Sequence, residues 1–567
     1  MSPLDATRPA AGPMGLAPGP GDELLFVPLG GSGEIGMNLN LYGYGGQWLM
    51  VDCGVMFGDD STPGIELIMP DPQFITERRE DLLALVLTHG HEDHIGAVAH
   101  LWPRLRCPVY ASPFTAALLR RKLAEAGLKD ELRIRDLPLD RAIRIGPFEV
   151  EAILLTHSIP EPSALVLRTP LGTILHTGDW KFDPDPLVGP VADEAALRRL
   201  GESDVLALIG DSTNALVPGT SGSERSVRTR LTELIGGYDG CVAVACFASN
   251  VARLETVAHA ARAHDRVPAL VGRSLRRIDE AAREAGYLRE LPPFFGEQEI
   301  TTLPRRRRLL LCTGSQGEPR AALSRIATDA HPHIKLGAGD TVIFSSRVIP
   351  GNERPILALQ DRLRRLGVEV VTALQEDVHV SGHPAREELA RMYQWVRPRL
   401  AIPVHGEHAH LTAHAELARD CQVPQTLVPE NGSVVRLAPG TPAIVDHVPA
   451  GRLALDGRRL VPMDSSAIKR RRRIARDGAV VATLVVDGRG RLVAEPQLSL
   501  MGLADDDADL VLESAAAIAV KEAVRDLSGE DRRDDQAISE TARRALRRVV
   551  LAEHGKKPPI EIHVVRV

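Results

Sequence analysis

At 567 residues, and with roughly 150 residues per domain, the chain has length for three to four domains with separate cores, which excludes a single small module. Charged residues at 25% and apolar residues at 44%, with 49 glycines and 41 prolines, exclude collagen-like, fully disordered and membrane-spanning classes. The 68 Lys and Arg against 75 Asp and Glu leave a net charge of −7, so any nucleic-acid role must come from local arrangement.

The first residues, MSPLDATRPAAGPMGLAPGPGDE, lack a basic start followed by an apolar run, so residues 1–21 are expected to form a flexible tail with no secretory signal. Six scattered cysteines without a C-x-x-C pair fit a reducing cytoplasm. No run approaches about 18 apolar residues, so no membrane contact is expected.

From residue 23 to 215, short Val-, Ile- and Leu-rich runs end in polar loops: LLFVPL, QWLMVDCG, LLALVLTH, VYAS, FEVEAILLTH, GTILHTGD and DVLALIGD. They predict strands of buried sheets, with a helix over PFTAALLRRKLAEA. From about 224 to 375 helical and strand patterns alternate, which predicts a parallel sheet flanked by helices. Strand patterns resume at RLAIPVHGEH and TLVPENGSVVRLAPG, residues 446–468 read as a connector, and 469–567 as a C-terminal domain with strands AVVATLVVD, RLVAEPQL and PIEIHVVRV. The expected division is thus 22–223 continued by 384–445, an insert at 224–383, a linker at 446–468 and a last domain at 469–567.

The segment His89-Gly90-His91-Glu92-Asp93-His94 puts three imidazoles and carboxylates in a loop directly after a predicted strand. Imidazole nitrogen and carboxylate oxygen are the donors that Zn²⁺ and similar ions prefer. Further candidates close other apolar runs: His157 after VEAILLT, Asp179 after TILHTG and His405 after LAIPV. A catalytic zinc takes three to four protein ligands, so this set suits two ions. If Asp179 bridges, His89, His91 and His157 hold one ion, and Asp93, His94 and His405 the other. Two ions about 3.5–4 Å apart stabilise both attacking and leaving oxygens at phosphorus, which points to hydrolysis of phosphate esters.

THGHEDHIG, LLTHSIPEP and HTGDWKFD resemble the successive ligand motifs of the metallo-β-lactamase superfamily, which implies an α/β protein with an αββα sandwich and a dinuclear site at its edge. Asp211 in LIGDSTNA, the run His379-Val380-Ser381-Gly382-His383, and His405 in PVHGEH resemble the markers of the β-CASP group, whose extra α/β domain is inserted into the sandwich. GGSGEIGMN, ACFASNVAR, CTGSQGEP, SSRVIPGNE, HVSGHP and PVHGEHAHL resemble segments of the bacterial ribonuclease J family, from about residue 23 to the C-terminus. That resemblance implies a zinc-dependent ribonuclease with two Zn²⁺ per subunit, or Mn²⁺ in their place. It implies 5′→3′ exonuclease and endonuclease activity on single-stranded RNA with a 5′ monophosphate, in mRNA decay and rRNA processing. It also implies a cytoplasmic homodimer or homotetramer, with other RNA-decay proteins as partners, and a small α+β C-terminal domain. Phe247, Ala248 and Ser249 and residues His379, Val380, Ser381, Gly382 and His383 would hold the RNA backbone or its 5′ phosphate. Asp93, Asp211 and His383 would be catalytic, Asp93 orienting the nucleophile and His383 donating a proton. The glycine of HVSGH permits close backbone approach, with Ser and His as donors to phosphate oxygen.

The competing readings are a DNA nuclease of the same group and a non-catalytic RNA-binding subunit, against which stands the full ligand set. Ser249 also reads as an N-cap for NVARLETVAHAA. Gly31-Ser32-Gly33-Glu34-Ile35-Gly36 matches a dinucleotide fingerprint with Asp52 further on, but the strands and Gly-rich turn that follow are the wrong context. Arg305–Arg308 and Lys469–Arg473 read as solvated faces, an RNA path or, for the second, a subunit contact. His176, His408, His410 and His414 read as supporting or surface histidines. Aromatics at 4% leave little capacity for base stacking, so sequence-tolerant gripping of phosphates is expected.

Overall fold

The computed structural model describes residues 21–59, 61–349, 351–503 and 506–567. The expected N-terminal tail falls, but for Gly21, outside the described residues. The chain divides into two compact units, one comprising the described residues up to Met56 with Met69–Gly451, the other Phe57–Ile68 with Arg452–Val567.

In the first unit two mixed sheets face each other. One has eight strands in the order Ala443–His447, Ser433–Ala438, Leu24–Gly30, Leu39–Tyr44, Gln47–Val51, Leu82–Val86, Val109–Ala111 and Ile134–Asp136. The other has seven: Ile143–Ile145, Phe148–Leu154, Ser163–Thr169, Gly172–His176, Val205–Asp211, Leu400–Val404 and Gln425–Thr426. Phe26, Leu49, Val51 and Val86 from the first sheet close on Phe148, Val150, Leu165, Leu167, Ile209 and Ile402 from the second. Central strands are buried along their whole length because helices cover the outer faces, and this is why they read as unbroken apolar runs. On one outer face Leu197, Leu389, Met392, Trp395 and Leu417 of three helices pack against Val166, Leu175 and Leu208.

The register of this sheet assembles one edge. Gly172–His176, Val205–Asp211 and Leu400–Val404 are mutually parallel, with His176 opposite Ile209 and Asp211 opposite Val404. Their C-terminal ends therefore deliver Asp179, Asp211 and His405 to one place. Gln47–Val51 and Leu82–Val86, parallel in the other sheet, deliver Asp52 and His89. The glycine-rich GGSGEIG stretch leads into the hairpin Leu39–Tyr44/Gln47–Val51, where a dinucleotide fold would have a helix.

Between Asp211 and the return strand at Leu400 lies an all-parallel sheet in the order Val267–Val271, Arg308–Cys312, Val242–Ala245, Thr341–Phe344 and Glu369–Thr372. Its core includes Ala243, Leu310, Val342, Leu323, Ile356 and Leu363.

In the second unit, a three-stranded sheet, Gln497–Met501, Ala479–Val486 and Ile560–Arg566, carries helices Asp506–Arg525 and Asp535–His554. Val480, Ala482, Leu484, Val520, Ile538 and Leu546 form its core. The strand expected at RLVAEPQL begins only after Pro496, whose missing N–H keeps it out of the ladder. Residues 446–468 also differ from the expected linker: Arg452–Asp456 and Arg459–Pro462 form a hairpin closed by Asp456↔Arg459, with Gly457 at φ 61° supplying the two-residue turn. Leu453, Leu455 and Leu460 share one face of this hairpin, an alternation too short to stand out within a charged stretch.

Candidate metal centre

His89 and His91 follow the strand Leu82–Val86, and Asp93 and His94 lie on the short helix Glu92–Ile95. His89 Nε2 is 3.1 Å from His91 Nδ1, which is 3.0 Å from His157 Nε2. Zinc–nitrogen bonds of about 2.05 Å at a tetrahedral angle put donor nitrogens about 3.3 Å apart, close to this spacing. Asp179 Oδ2 lies 3.1 Å from His94 Nε2, 3.4 Å from His405 Nε2, 3.8 Å from His89 Nε2 and 4.0 Å from His157 Nε2. Asp93 Oδ2 lies 3.6 Å from both His94 Nε2 and His405 Nε2. The expected ligands thus form two donor groups, His89/His91/His157 and Asp93/His94/His405, with Asp179 reaching both.

Around the cluster, each outward-facing ring nitrogen has a neighbour. His94 Nδ1–H donates to Asp52 Oδ2 at 2.7 Å, His405 Nδ1–H to Asn38 Oδ1 at 3.1 Å, and His157 Nδ1–H to the Gly382 carbonyl at 2.5 Å, while His89 Nδ1 faces Thr88 Oγ1 at 3.1 Å. His91 Nε2 faces Ser158 Oγ at 3.5 Å. The tautomers so fixed turn the inner nitrogens of His89 and His157 toward His91 as lone pairs, an arrangement that a cation between them relieves. Among the described residues Asp179 Oδ1 and His405 Nε2 are buried without a hydrogen-bond partner, as atoms facing a cation would be. The donor set therefore fits divalent metal.

Electrostatics agree. Burial, aided by neighbouring imidazoles, holds His89 and His91 well below the ordinary imidazole value, in the neutral form a metal needs. Burial opposes charging of His94 and His405, yet Asp179 and its carboxylate neighbours push His94 well above its usual value and His405 to about 9. On those two rings a bound cation would take the place of a proton.

Sequence reasoning missed two supporting residues. Asp52, considered only for a dinucleotide, accepts from the Thr88 backbone and hydroxyl at 2.8 Å each while gripping His94. Asn38 donates to the Asp93 carbonyl at 3.1 Å and orients His405. The signal for Asp52 was its place at the end of a buried strand beside the His-rich one.

The other expected residues fall in three groups. His383 Nδ1 lies 2.8 Å from Asp211 Oδ2 and 3.8 Å from Asp179 Oδ2; burial opposes its charging, but Asp211 raises it above the usual value. Its side chain is 22% exposed and faces the site, with Asp211 fully buried behind it. Asn214 Nδ2 donates to Ser381 Oγ at 2.7 Å and to the His383 carbonyl at 3.0 Å. Half-buried His379 is pushed down to about 3 by desolvation and by Arg253, Lys181 and Arg347. Gly382 makes the close approach expected of it, but toward His157: a Cβ there would stand 2.6 Å from the ring. Phe247, Ala248 and Ser249 are half-buried after the strand Val242–Ala245. The cap of the following helix is Asn250, not Ser249, because the Asn250 side chain accepts from Arg253 N. Arg253 ties that helix to the Val378 carbonyl at 2.8 Å.

His176 bonds Tyr42, and His414 bonds Ser212 and Tyr393, so both are buried supports. Arg305 and Arg307 pair with Asp340 and Asp265, and Arg308 donates to the Leu303 and Thr301 carbonyls. Arg471 pairs with Asp456, and Arg473 donates to the Lys557 carbonyl. No helix among the described residues is long and apolar enough to cross a membrane.

Family models match along the chain: the metallo-beta-lactamase superfamily over 38–220, the ribonuclease J beta-CASP domain over 239–363, the Zn-dependent metallo-hydrolase RNA specificity domain over 367–424 and the ribonuclease J C-terminal domain over 466–567. The chain is 45% identical to ribonuclease J of Sinorhizobium meliloti over 96% of its own length and 98% of the relative's. It is 40% identical to ribonuclease J of Mycobacterium tuberculosis, over 95% and 98%. With ribonuclease J of Thermus thermophilus it shares 39% identity over 82% and 83%. A solved protein of unknown function from Enterococcus faecalis has a similar fold, with a TM-score of 0.50 at 16% identity over 73% of this chain and all of that one. With its ligand motifs converging on one sheet edge and its sequence matched nearly end to end, the chain belongs to the ribonuclease J family of metal-dependent ribonucleases.

Proposed function

We propose that this enzyme degrades single-stranded RNA from a 5′ monophosphate, nucleotide by nucleotide toward the 3′ end, and also cuts internally, in mRNA decay and rRNA processing in the cytoplasm. The cofactors in this reading are two Zn²⁺, or Mn²⁺, one held by His89, His91 and His157, the other by Asp93, His94 and His405, with Asp179 shared. When bound, such ions supply Lewis acidity and positive charge for in-line displacement at phosphorus.

The protein's own groups do the rest. Asp93, 29% exposed at the rim of the cluster, accepts a hydrogen bond from the attacking water and orients it. His383, kept protonated by Asp211, donates its proton to the departing oxygen. Ser381 Oγ accepts from Asn214 Nδ2 and from the His383 backbone N–H, which leaves its own O–H to donate to a phosphate oxygen. Phe247 to Ser249 line the approach together with His379 to Gly382. We further propose the division into 22–223 with 384–445, an insert at 224–383 and a C-terminal domain from 469, and a homodimer or homotetramer in solution.

The observation that carries this reading is that the HVSGH segment and the metal cluster form one assembly, joined by His157 and Gly382. RNA labelled at either end and carrying a 5′ monophosphate or triphosphate tests it. Mononucleotides should leave from the 5′ end, faster with the monophosphate; release from the 3′ end, or equal rates, removes the end preference.

A further inference from the structure

We infer that Arg347 is an RNA-binding residue whose guanidinium grips a backbone phosphate beside the HVSGH pocket. This rests on the proposed seating of the RNA 5′ end at Ser381 and His383.

Arg347 follows the strand Thr341–Phe344 of the inserted sheet, at the carboxyl end of parallel strands, where ligands of such sheets bind. Its Nη1 donates to Asn214 Oδ1 at 2.5 Å, and the same amide, through Nδ2, holds Ser381 and the His383 carbonyl. Arg347 is therefore two hydrogen bonds from the residue that faces the phosphate. Its backbone is pinned as well: Gln316 Nε2 donates to the Arg347 carbonyl at 2.8 Å, and Gln316 Oε1 accepts from Ile349 N at 2.9 Å. A side chain positioned in advance loses less entropy on binding.

The neighbouring cations are already committed. Arg253 is fully buried with Glu224, and Lys181 is buried with Asp183 at 3.1 Å. Arg347 is exposed, and its guanidinium has no carboxylate and no acceptor other than Asn214 among the described residues. Its remaining N–H groups form a fork suited to two phosphate oxygens. A chain with net charge −7 and few aromatics needs such a local cation to hold RNA. The exposed Val348 and Ile349, at 40% and 46%, offer apolar surface for the adjoining sugar or base.

The test compares wild type, Arg347→Ala and Arg347→Lys as metal-loaded full-length enzymes. The readouts are steady-state cleavage of 5′-monophosphorylated RNA, hydrolysis of bis(p-nitrophenyl) phosphate, and RNA affinity across salt in an Asp179→Ala background. Arg347→Ala should raise KM and Kd for RNA roughly tenfold and flatten the logarithmic salt slope by about 0.7, a far larger effect than any on hydrolysis of the small diester. Arg347→Lys should restore the salt slope but only part of the affinity, because an ammonium cannot serve Asn214 and phosphate as a planar fork does. RNA parameters equal to wild type in both variants would overturn this inference alone. A wild-type enzyme that hydrolyses the diester but not RNA would overturn the functional reading, and this inference with it. Loss of diester hydrolysis in Arg347→Ala but not Arg347→Lys would show a structural role and also count against phosphate binding.

Discussion

His157 and Gly382, 225 positions apart in the chain, share a 2.5 Å hydrogen bond in which the imidazole Nδ1–H donates to the glycine carbonyl. The bond fixes the His157 tautomer so that Nε2 faces His91, and it links a metal-binding loop of the sandwich to the segment that closes the insert.

Gly382→Ala should break this link, because the new Cβ would stand 2.6 Å from the His157 ring. Supporting-residue changes at metal sites cost roughly 10- to 100-fold in affinity. Metal retained after dialysis against a graded series of chelator should fall accordingly, with Tm nearly unchanged. Full retention would show that His157 does not depend on this contact.

Asp52→Asn keeps the shape but removes the charge that holds His94. Asn tolerates the left-handed backbone that Asp52 adopts at φ 63°, so the fold should persist. Metal affinity should again drop roughly 10- to 100-fold, followed by direct titration of the stripped protein.

Asp179→Ala and His91→Ala remove a shared donor and the central imidazole of one group. Both should abolish RNA cleavage while circular dichroism stays that of wild type, and chelator treatment of wild type should reproduce the loss. Activity in a metal-stripped double variant would refute metal-dependent catalysis at this site.

Arg253 and Glu224 form a fully buried pair, 2.9 Å apart, that anchors the start of two insert helices beneath Val378. Arg253→Met alone strands a carboxylate and should destabilise by about 3–5 kcal/mol. Adding Glu224→Leu should recover most of that loss, as read from denaturant midpoints of the three proteins.

His414 is held to about 4 by burial, against an ordinary 6.5, while it bonds Ser212 and Tyr393. The unfolded chain takes up this proton near 6.5 and the folded chain only near 4. The contribution of His414 is thus complete above the unfolded value and is lost as pH falls toward 4. The Tm advantage of wild type over His414→Gln should be largest at about pH 7.5 and should shrink by about pH 5.

The sequence alone displayed the candidate ligands: His89, His157, Asp179 and His405 each follow an apolar run, a local pattern of period and polarity that one chain segment shows by itself. It likewise displayed the alternation of helix and strand after residue 224 and the charged helices and closing strand of the C-terminal region. Ser249 misled because two adjacent polar residues can cap the same helix, and only backbone geometry chose Asn250. The strands at 452–462 were hidden because their alternation is short and bordered by charge. What tertiary structure decided is the pairing across distance: Asp52 with His94, Asn38 with His405, Gly382 with His157 and Arg347 with Asn214. Those pairings follow from sheet register and from how the insert packs against the sandwich, which are properties of the folded chain and leave no local pattern in its sequence.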